Sequence, residues 1–347
     1  MVIGAGGAHT VTRHSMSDPL QGVTYQGHFL VADIAMLAPF PRDQANLVCS
    51  PDGMILLAPL PGGRWLTFQD LEDGVQSVSA EVVAARTEVR LGWRGRPTDV
   101  AWFSPFRMHR RIASRLADGR RFLIGDAAHL SSPFGGEGLN SGLHDGYDLA
   151  WKLALVLRRR APRSLLDDYA VEREIADRHV LDVSDDVHTG IIGIADAVRE
   201  GREVPAEDAD PATTALLRDS RVMIDFDYAG SPLVVDYGGN ASDTADPHPG
   251  QRYPDWTHLG GMSHHVLVFG PLADAASLAR LGRRWSKVVQ VSHDPDVDPV
   301  RAGVPEGGVV LIRPDGHIGF RFPSTGAGAL TGLDRHLSSY LIPDPNV

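Results

Sequence analysis

Cys49 is the only cysteine in the 347 residues, so no disulfide can form within the chain. That suits a reducing, cytoplasmic setting. Lysine is almost absent as well: Lys152 and Lys287 are the only two among 33 basic residues. So uniform a use of arginine looks like coding preference rather than function. No apolar run is long enough to span a bilayer. The first residues lack the charged-then-apolar order of a secretory signal. No basic patch stands out against a net charge of −11, so nucleic acid is not an expected partner. The motif inventory is equally bare. There is no C-x-x-C for thiol redox chemistry, no H-E-x-x-H among the 15 histidines, no G-x-S-x-G elbow and no Walker A loop. Repeats and low-complexity tracts are missing too.

What the chain does have is one dense stretch, Arg121 to Lys152. Phe122-Leu123-Ile124 reads as a short buried strand ending at Gly125, with the carboxylate of Asp126 at its C-terminal end. A Pro/Gly-rich loop follows, Pro133-Phe134-Gly135-Gly136-Glu137-Gly138, and a helix starts near Leu139. In an open α/β sheet, ligands sit outside the carboxyl ends of the strands. Loop glycines let backbone N–H groups approach a ligand, and the helix start adds unpaired donors and partial positive charge. Gly138, Gly142 and Gly146 at i, i+4 and i+8 leave one helix stripe bare, which implies close approach of a strand or a ligand. Leu139, Leu143, Ala150, Leu153 and Leu157 give an expected apolar face. Tight packing alone would explain the glycines. Asp126, Pro133 and Asn140 in addition favour a cofactor with a polyol arm and an electron-rich carbonyl edge, as in a flavin.

The stretch GDAAHLSSPFGGEGLNSGLHDGYDLAWKL resembles the second flavin-contacting motif of the FAD-dependent aromatic hydroxylases, the single-component monooxygenases of the para-hydroxybenzoate hydroxylase type. The resemblance implies that Asp126 binds the ribityl chain. It implies that Pro133, Gly135, Gly136, Gly138, Leu139 and Asn140 line the isoalloxazine ring near its pyrimidine edge. Glu137 stands where Gln is common. Gly4-Ala5-Gly6-Gly7-Ala8-His9-Thr10-Val11-Thr12-Arg13 is similar to the family's middle motif, which bears on FAD and NADPH binding. Gly6 occupies the place of an Asp there, while Arg13 is retained as a cofactor-binding candidate. A dinucleotide fingerprint fits this opening less well, because His9 replaces the third glycine. On this alignment the family's first βαβ unit, which binds the ADP half of FAD, would precede Met1.

Residues 20 to 110 read as an antiparallel sheet. Gln21 to Ile34 suggests a strand pair around Gly27, and Gly53 to Gln69 a hairpin turning at Pro61-Gly62-Gly63. Ser79 reads as the N-cap of a helix through Val89, and Val100 to Phe103 as a further strand. In the family such a sheet covers the flavin and forms the substrate pocket. Trp102, Phe103 and Phe106, with Trp65, are candidate lining residues; core packing is the alternative for each. Ser164-Leu165-Leu166-Asp167 resembles a capping box for a helix to about Val187. On it, Tyr169, Glu172 and Arg173 read as a solvated face with local ion pairs. Glu200 to Pro211 reads as a linker. From Asp219 onward the order β-α-β-β-β-α fits a thioredoxin-like fold. Its VLIRPDGHIGFR segment is similar to the C-terminal module of phenol hydroxylase and aromatic polyketide hydroxylases.

The expected fold class is therefore α/β and α+β. A partial FAD-binding domain (1–19 and 111–215) holds an antiparallel substrate-domain sheet (20–110), and a thioredoxin-like domain (216–347) follows. The expected activity is FAD-dependent hydroxylation of an aromatic, polyketide-type substrate with NAD(P)H and O2. No metal and no membrane is implied, and a homodimer is the expected assembly. The alternative is a non-catalytic scaffold that dimerises or binds a partner. No general acid or base can be named from the sequence.

Overall fold

A computed structural model describes residues 1–71, 78–92, 96–202, 226–237, 247–259, 261–271, 274–292 and 298–344. The chain opens on β1 (Val2–Gly4), a short turn of 3-10 helix and α1 (Val11–Ser15). β2 (Leu20–Thr24), β3 (His28–Leu37), β4 (Asn46–Ser50), β5 (Gly53–Pro59) and β6 (Arg64–Leu71) follow. After α2 (Ala80–Leu91) come β7 (Arg96–Phe106), β8 (His109–Ala113), β9 (Ala117–Asp118) and β10 (Arg121–Leu123). β11 (His129–Leu130) leads to two long helices, α3 (Gly138–Leu157) and α4 (Leu165–Arg199).

The antiparallel sheet runs β4-β5-β6-β3-β7. Its register follows from the period-2 alternation of β6, where Trp65, Thr67, Gln69 and Leu71 are buried and the residues between them half-buried. The buried face, with Leu30, Ile34, Ile55 and Trp65, packs on α2, and Ser79 caps that helix by accepting from Val82 N–H. The expected hairpin at Pro61–Gly63 is there, with Gly62 at φ 70°. The expected strand pair around Gly27 is not. β2 pairs with β8 in a separate sheet, β11-β8-β2, while β3 pairs with β6 and β7. Gly27 marks a passage between sheets rather than a turn.

β1 lies parallel to β10, so the opening residues sit beside the strand that ends at the cradle. α1 is only five residues long. Ser164 stands at the start of α4, but its side chain makes no capping bond, and the helix continues 35 residues to Arg199 rather than stopping near Val187. The expected linker from Glu200 to Pro211 and the boundary at 215/216 fall largely outside the described residues.

The last module holds β12 (Val235–Asp236), β13 (His264–Phe269), α5 (Ala275–Arg284), β14 (Val289–Ser292), β15 (Gly308–Ile312), β16 (Ile318–Phe322) and α6 (Ala327–Tyr340). Its sheet runs β12-β16-β15-β13-β14, with β13 parallel to β14 and antiparallel to β15. This is the expected thioredoxin-like order. Its core joins Val266, Leu311, Phe320 and Leu337 to Trp151 and Leu155 of α3, so module and long helices share one core.

Candidate functional site

β10 ends at Leu123, and Gly125 then takes φ 58°, a left-handed turn that favours glycine. The turn leaves Asp126 exposed, with no hydrogen-bonding side-chain or backbone partner among the described residues. Ser132 accepts from Phe134 N–H at 3.3 Å and starts a tight turn over Pro133–Gly135. Gly136, at φ 70°, has open space where a Cβ would stand. α3 then begins at Gly138 with no side chain capping it, and Leu139 and Asn140 are exposed. The first-turn N–H groups of a 20-residue helix thus face outward beside a free carboxylate. An open backbone cradle, a donor-rich helix start and a hydroxyl-binding carboxylate fit the ribityl and pyrimidine end of a flavin.

The bare stripe of α3 has a packing cause. A Cβ on Gly142 would stand 3.1 Å from the Cα of Gly125, and one on Gly138 would stand 2.9 Å from Ser131 Oγ. The helix therefore lies directly on the turn that presents Asp126. Glu137, between the two loop glycines, is buried; its partner is Asn140 at 3.5 Å, and burial pushes its carboxyl pKa up.

Beneath the cradle lies a polar core that the sequence reading had turned inside out. Of the expected apolar face of α3, Leu153 packs against the core, while Leu139 is 78% exposed, Leu143 65% and Leu157 68%. The buried side carries Ser141, Asp145, Asp148 and Lys152 among Leu149, Trp151 and Leu155. Tyr169, Glu172 and Arg173 of α4, expected on a solvated face, are buried against it. Asp145 accepts from Gly125 N–H at 2.7 Å, from His129 Nε2 at 2.9 Å and from Arg173 Nε at 2.7 Å. Burial opposes its charge, yet Arg173 and His129 win and hold its pKa down at about 2. Asp177 faces the other way. Burial and the nearby Asp145 charge push its pKa up to about 6, against the pull of Arg173. One step further in, Lys152 Nζ donates to Asp148 and Glu172 at 2.6 Å each, and Arg313 of the C-terminal module meets Glu172 and Asp315. Two of these clusters, His129-Asp145-Asp177 and Asp148-Glu172-Asp315, have metal-ligand spacing. Arg173 ion-pairs with the first, and Lys152 and Arg313 with the second.

The remaining candidates divide. Arg13 is buried and donates from Nη1 to the Ala127 carbonyl at 3.0 Å and from Nη2 to the Ala8 carbonyl. It ties the opening loop to the Asp126 turn rather than reaching into the cradle. Phe106 half-faces a cluster with Phe29 and Phe134, the loop's own aromatic. Trp102 is 47% exposed and lies opposite Asp33, on the same open face of the sheet. Phe103 is a correction: it lies opposite Ala32 and packs into the α2-side core, because neighbouring strand residues face opposite ways. Trp65, fully buried in that core, donates from Nε1 to the Met36 carbonyl at 3.2 Å. The aromatic cluster that continues from Phe134 is instead Phe29, Phe68 and Phe106, packed with Val187, Ile191 and Ala195 of α4. Sequence reasoning missed Asp145, His129 and Arg173. For Asp145 the signal was faint: Asp145, Asp148 and Lys152 follow at i, i+3 and i+7 on the side of α3 that carries Trp151, while His129 and Arg173 lie on β11 and α4 with no such spacing.

Residues 1–184 match the model of the FAD binding domain family, and residues 246–341 that of the aromatic-ring hydroxylase C-terminal domain. The 6-methylpretetramide 4-monooxygenase of Streptomyces rimosus is 32% identical over 99% of this chain and 67% of its own length. The chain belongs to the FAD-dependent aromatic hydroxylases. Within this hydroxylase family it is also similar to the tetracenomycin A2 monooxygenase-dioxygenase of Streptomyces glaucescens, at 27% identity over 97% of this chain and 65% of the relative. The crystal structure of aklavinone-11 hydroxylase with FAD and aklavinone shares the hydroxylase fold at a TM-score of 0.73 and 23% identity, covering 96% of this chain and 66% of that one. The chain thus spans about two thirds of the length of these relatives. Among the described residues no helix is long and apolar enough to cross a membrane.

Proposed function

We propose that this chain binds FAD at the Gly125–Asn140 cradle and serves the hydroxylation of a polycyclic aromatic substrate with NAD(P)H and O2. The observation that carries the reading is the exposed Asp126 beside the uncapped start of α3, continuous with the aromatic wall of the sheet. Bound there, FAD would take electrons from NAD(P)H and activate oxygen for transfer to an electron-rich ring. The chain's own residues do the rest. Asp126 accepts hydrogen bonds from the ribityl hydroxyls. Backbone donors at Gly138 to Asn140 favour negative charge at the ring edge. The half-buried Phe68 and Phe106, backed by the buried Phe29, supply an apolar lining that excludes water beside the loop. Relatives that act on 6-methylpretetramide and tetracenomycin A2 support a substrate of several fused rings.

A basic cleft offers the reductant a seat. A cleft of about 440 Å³ is lined by His9, Arg13, His14, His109 and Arg111 of the opening loop and β8. Its one acid, Asp18, is already bound to Ser114 and to the backbone of Arg115. Burial and Arg111 push the His109 pKa down, which favours its neutral form, so the fixed positive charge comes from Arg13 and Arg111. Such a cleft suits the phosphates of NAD(P)H. The test is the visible spectrum of the purified chain after mixing with FAD and desalting. Retained flavin bands, lost in Asp126→Ala, support the reading; a chain that stays colourless at saturating FAD sinks it.

A further inference from the structure

The C-terminal module has no thiol chemistry, yet it reaches the cradle through buried side chains. Tyr228, just before β12, accepts from Arg173 Nη1 at 2.9 Å. Arg173 in turn holds Asp145, whose other oxygen accepts from Gly125 N–H at 2.7 Å. A second path runs alongside. Arg313, at the end of β15, grips Glu172 with both terminal nitrogens, and Glu172 holds Lys152 and, through it, Asp148 of α3. The two paths touch where Arg313 lies 5.3 Å from the Tyr228 ring centroid and where His317 meets that ring at 4.5 Å. Tyr228, Arg173, Glu172, Lys152, Asp148, Asp145 and Arg313 are all buried, so water cannot substitute for a lost partner without opening the core.

We infer that the C-terminal module is a strut for the flavin turn, in which Tyr228, through Arg173 and Asp145, and Arg313, through Glu172, Lys152 and Asp148, are positioning residues that fix Gly125 and Asp126. This rests on the reading of the cradle as the flavin site. Neither residue touches the cradle. Each acts by fixing α4 against α3, and α3 carries the carboxylate that holds the Gly125 amide. The hairpin of β15 and β16 supplies the stiffness, since its strands are buried on both faces.

Two readouts on the full chain test this. The first is hydrogen exchange at the Gly125 amide without cofactor; the second is the Kd for FAD. Tyr228→Phe removes a single hydroxyl and should speed Gly125 exchange about tenfold while leaving the β15 amides unchanged. Arg313→Met should do more, and Arg313→Lys, which keeps the charge but loses the two-nitrogen grip on Glu172, should fall between Arg313→Met and the parent. The Kd for FAD should weaken in the same order. Val309→Ala, a cavity in the module core remote from both paths, should loosen the β15 amides and leave Gly125 alone. Should Arg313→Met not fold, Tyr228→Phe carries the decision. Unchanged Gly125 exchange in Tyr228→Phe, or an equal effect from Val309→Ala, overturns the strut. A Gly125 response in a chain that binds no FAD upholds the strut and rejects the flavin reading instead.

Discussion

The two sides of α3 invert the usual order of a surface helix. Its outer side shows Leu139, Leu143 and Leu157 to solvent, while its inner side buries Asp145, Asp148 and Lys152. Hydrophobic periodicity assumes that the apolar stripe faces the core. Here the core face carries charges beside Leu149, Trp151 and Leu155 because each charge on it meets a counter-charge from α4 or from the β15–β16 hairpin. Burying an ion costs several kcal/mol unless partners and hydrogen bonds offset it. The outer side has no such requirement. Each side can be perturbed separately, and the difference between them should be large.

The largest effect is expected from Lys152→Met. It leaves Asp148 and Glu172 without the ammonium that joins them at 2.6 Å and should cost about 3–5 kcal/mol in urea unfolding. Adding Asp148→Leu should recover much of that loss, since a buried pair replaced by apolar groups is often neutral. A double variant no better than Lys152→Met would mean that the charges specify the packing rather than merely cancel.

A smaller effect follows from pH. Burial, and then the charges of Glu172 and Asp315, push Asp148 up to about 6 against the pull of Lys152. Burial, and then Asp145, push Asp177 to about 6 as well. A carboxylate with a raised folded pKa stabilises below its ordinary pKa, and that stability is lost as pH rises through 6. Glu172 and Asp145, held near 2, act in the opposite sense and only below the ordinary carboxylate range. The contribution of Asp148 should therefore fall between pH 5 and 7, on the order of 1 kcal/mol, while buried His144, His264 and His336, whose pKa values burial pushes down to about 4, 3 and 4, contribute in the opposite sense; Asp148→Asn should gain stability relative to the parent chain across that window. Parallel stability profiles of the parent chain and Asp148→Asn across that window would place the proton elsewhere.

Much of the cradle was legible in the sequence because it is local. Asp126, Pro133 and the glycines from Gly135 to Gly138 act through backbone conformation within about a dozen residues, and the family motif records that run. The thioredoxin-like order was legible for the same reason, since each of its strands is a short apolar run between turns. The polar core was not, because its partners lie far apart in the chain: Arg173 is 28 residues from Asp145, and Arg313 is 141 from Glu172. A charge read alone looks solvated; only the fold shows its partner. Phe103 failed for a different reason. One residue of register exchanges the two faces of a strand, and a bulge between Asp33 and Ile34 shifts the β7 register just there.

The smallest effect is the sharpest check on the inversion. Leu143 is 65% exposed, so Leu143→Gln removes little apolar surface from any core and should change stability by less than about 0.5 kcal/mol. Asp145, two positions along the same helix, is fully buried and holds the Gly125 amide. Unfolding of Leu143→Gln beside that of Asp145→Asn compares an outward leucine with an inward carboxylate on one helix turn. A loss of 2 kcal/mol or more at Leu143 would match the burial of a leucine side chain. The outer stripe would then be covered in solution, and the contrast between the two sides of α3 would be one of partner chemistry rather than of exposure.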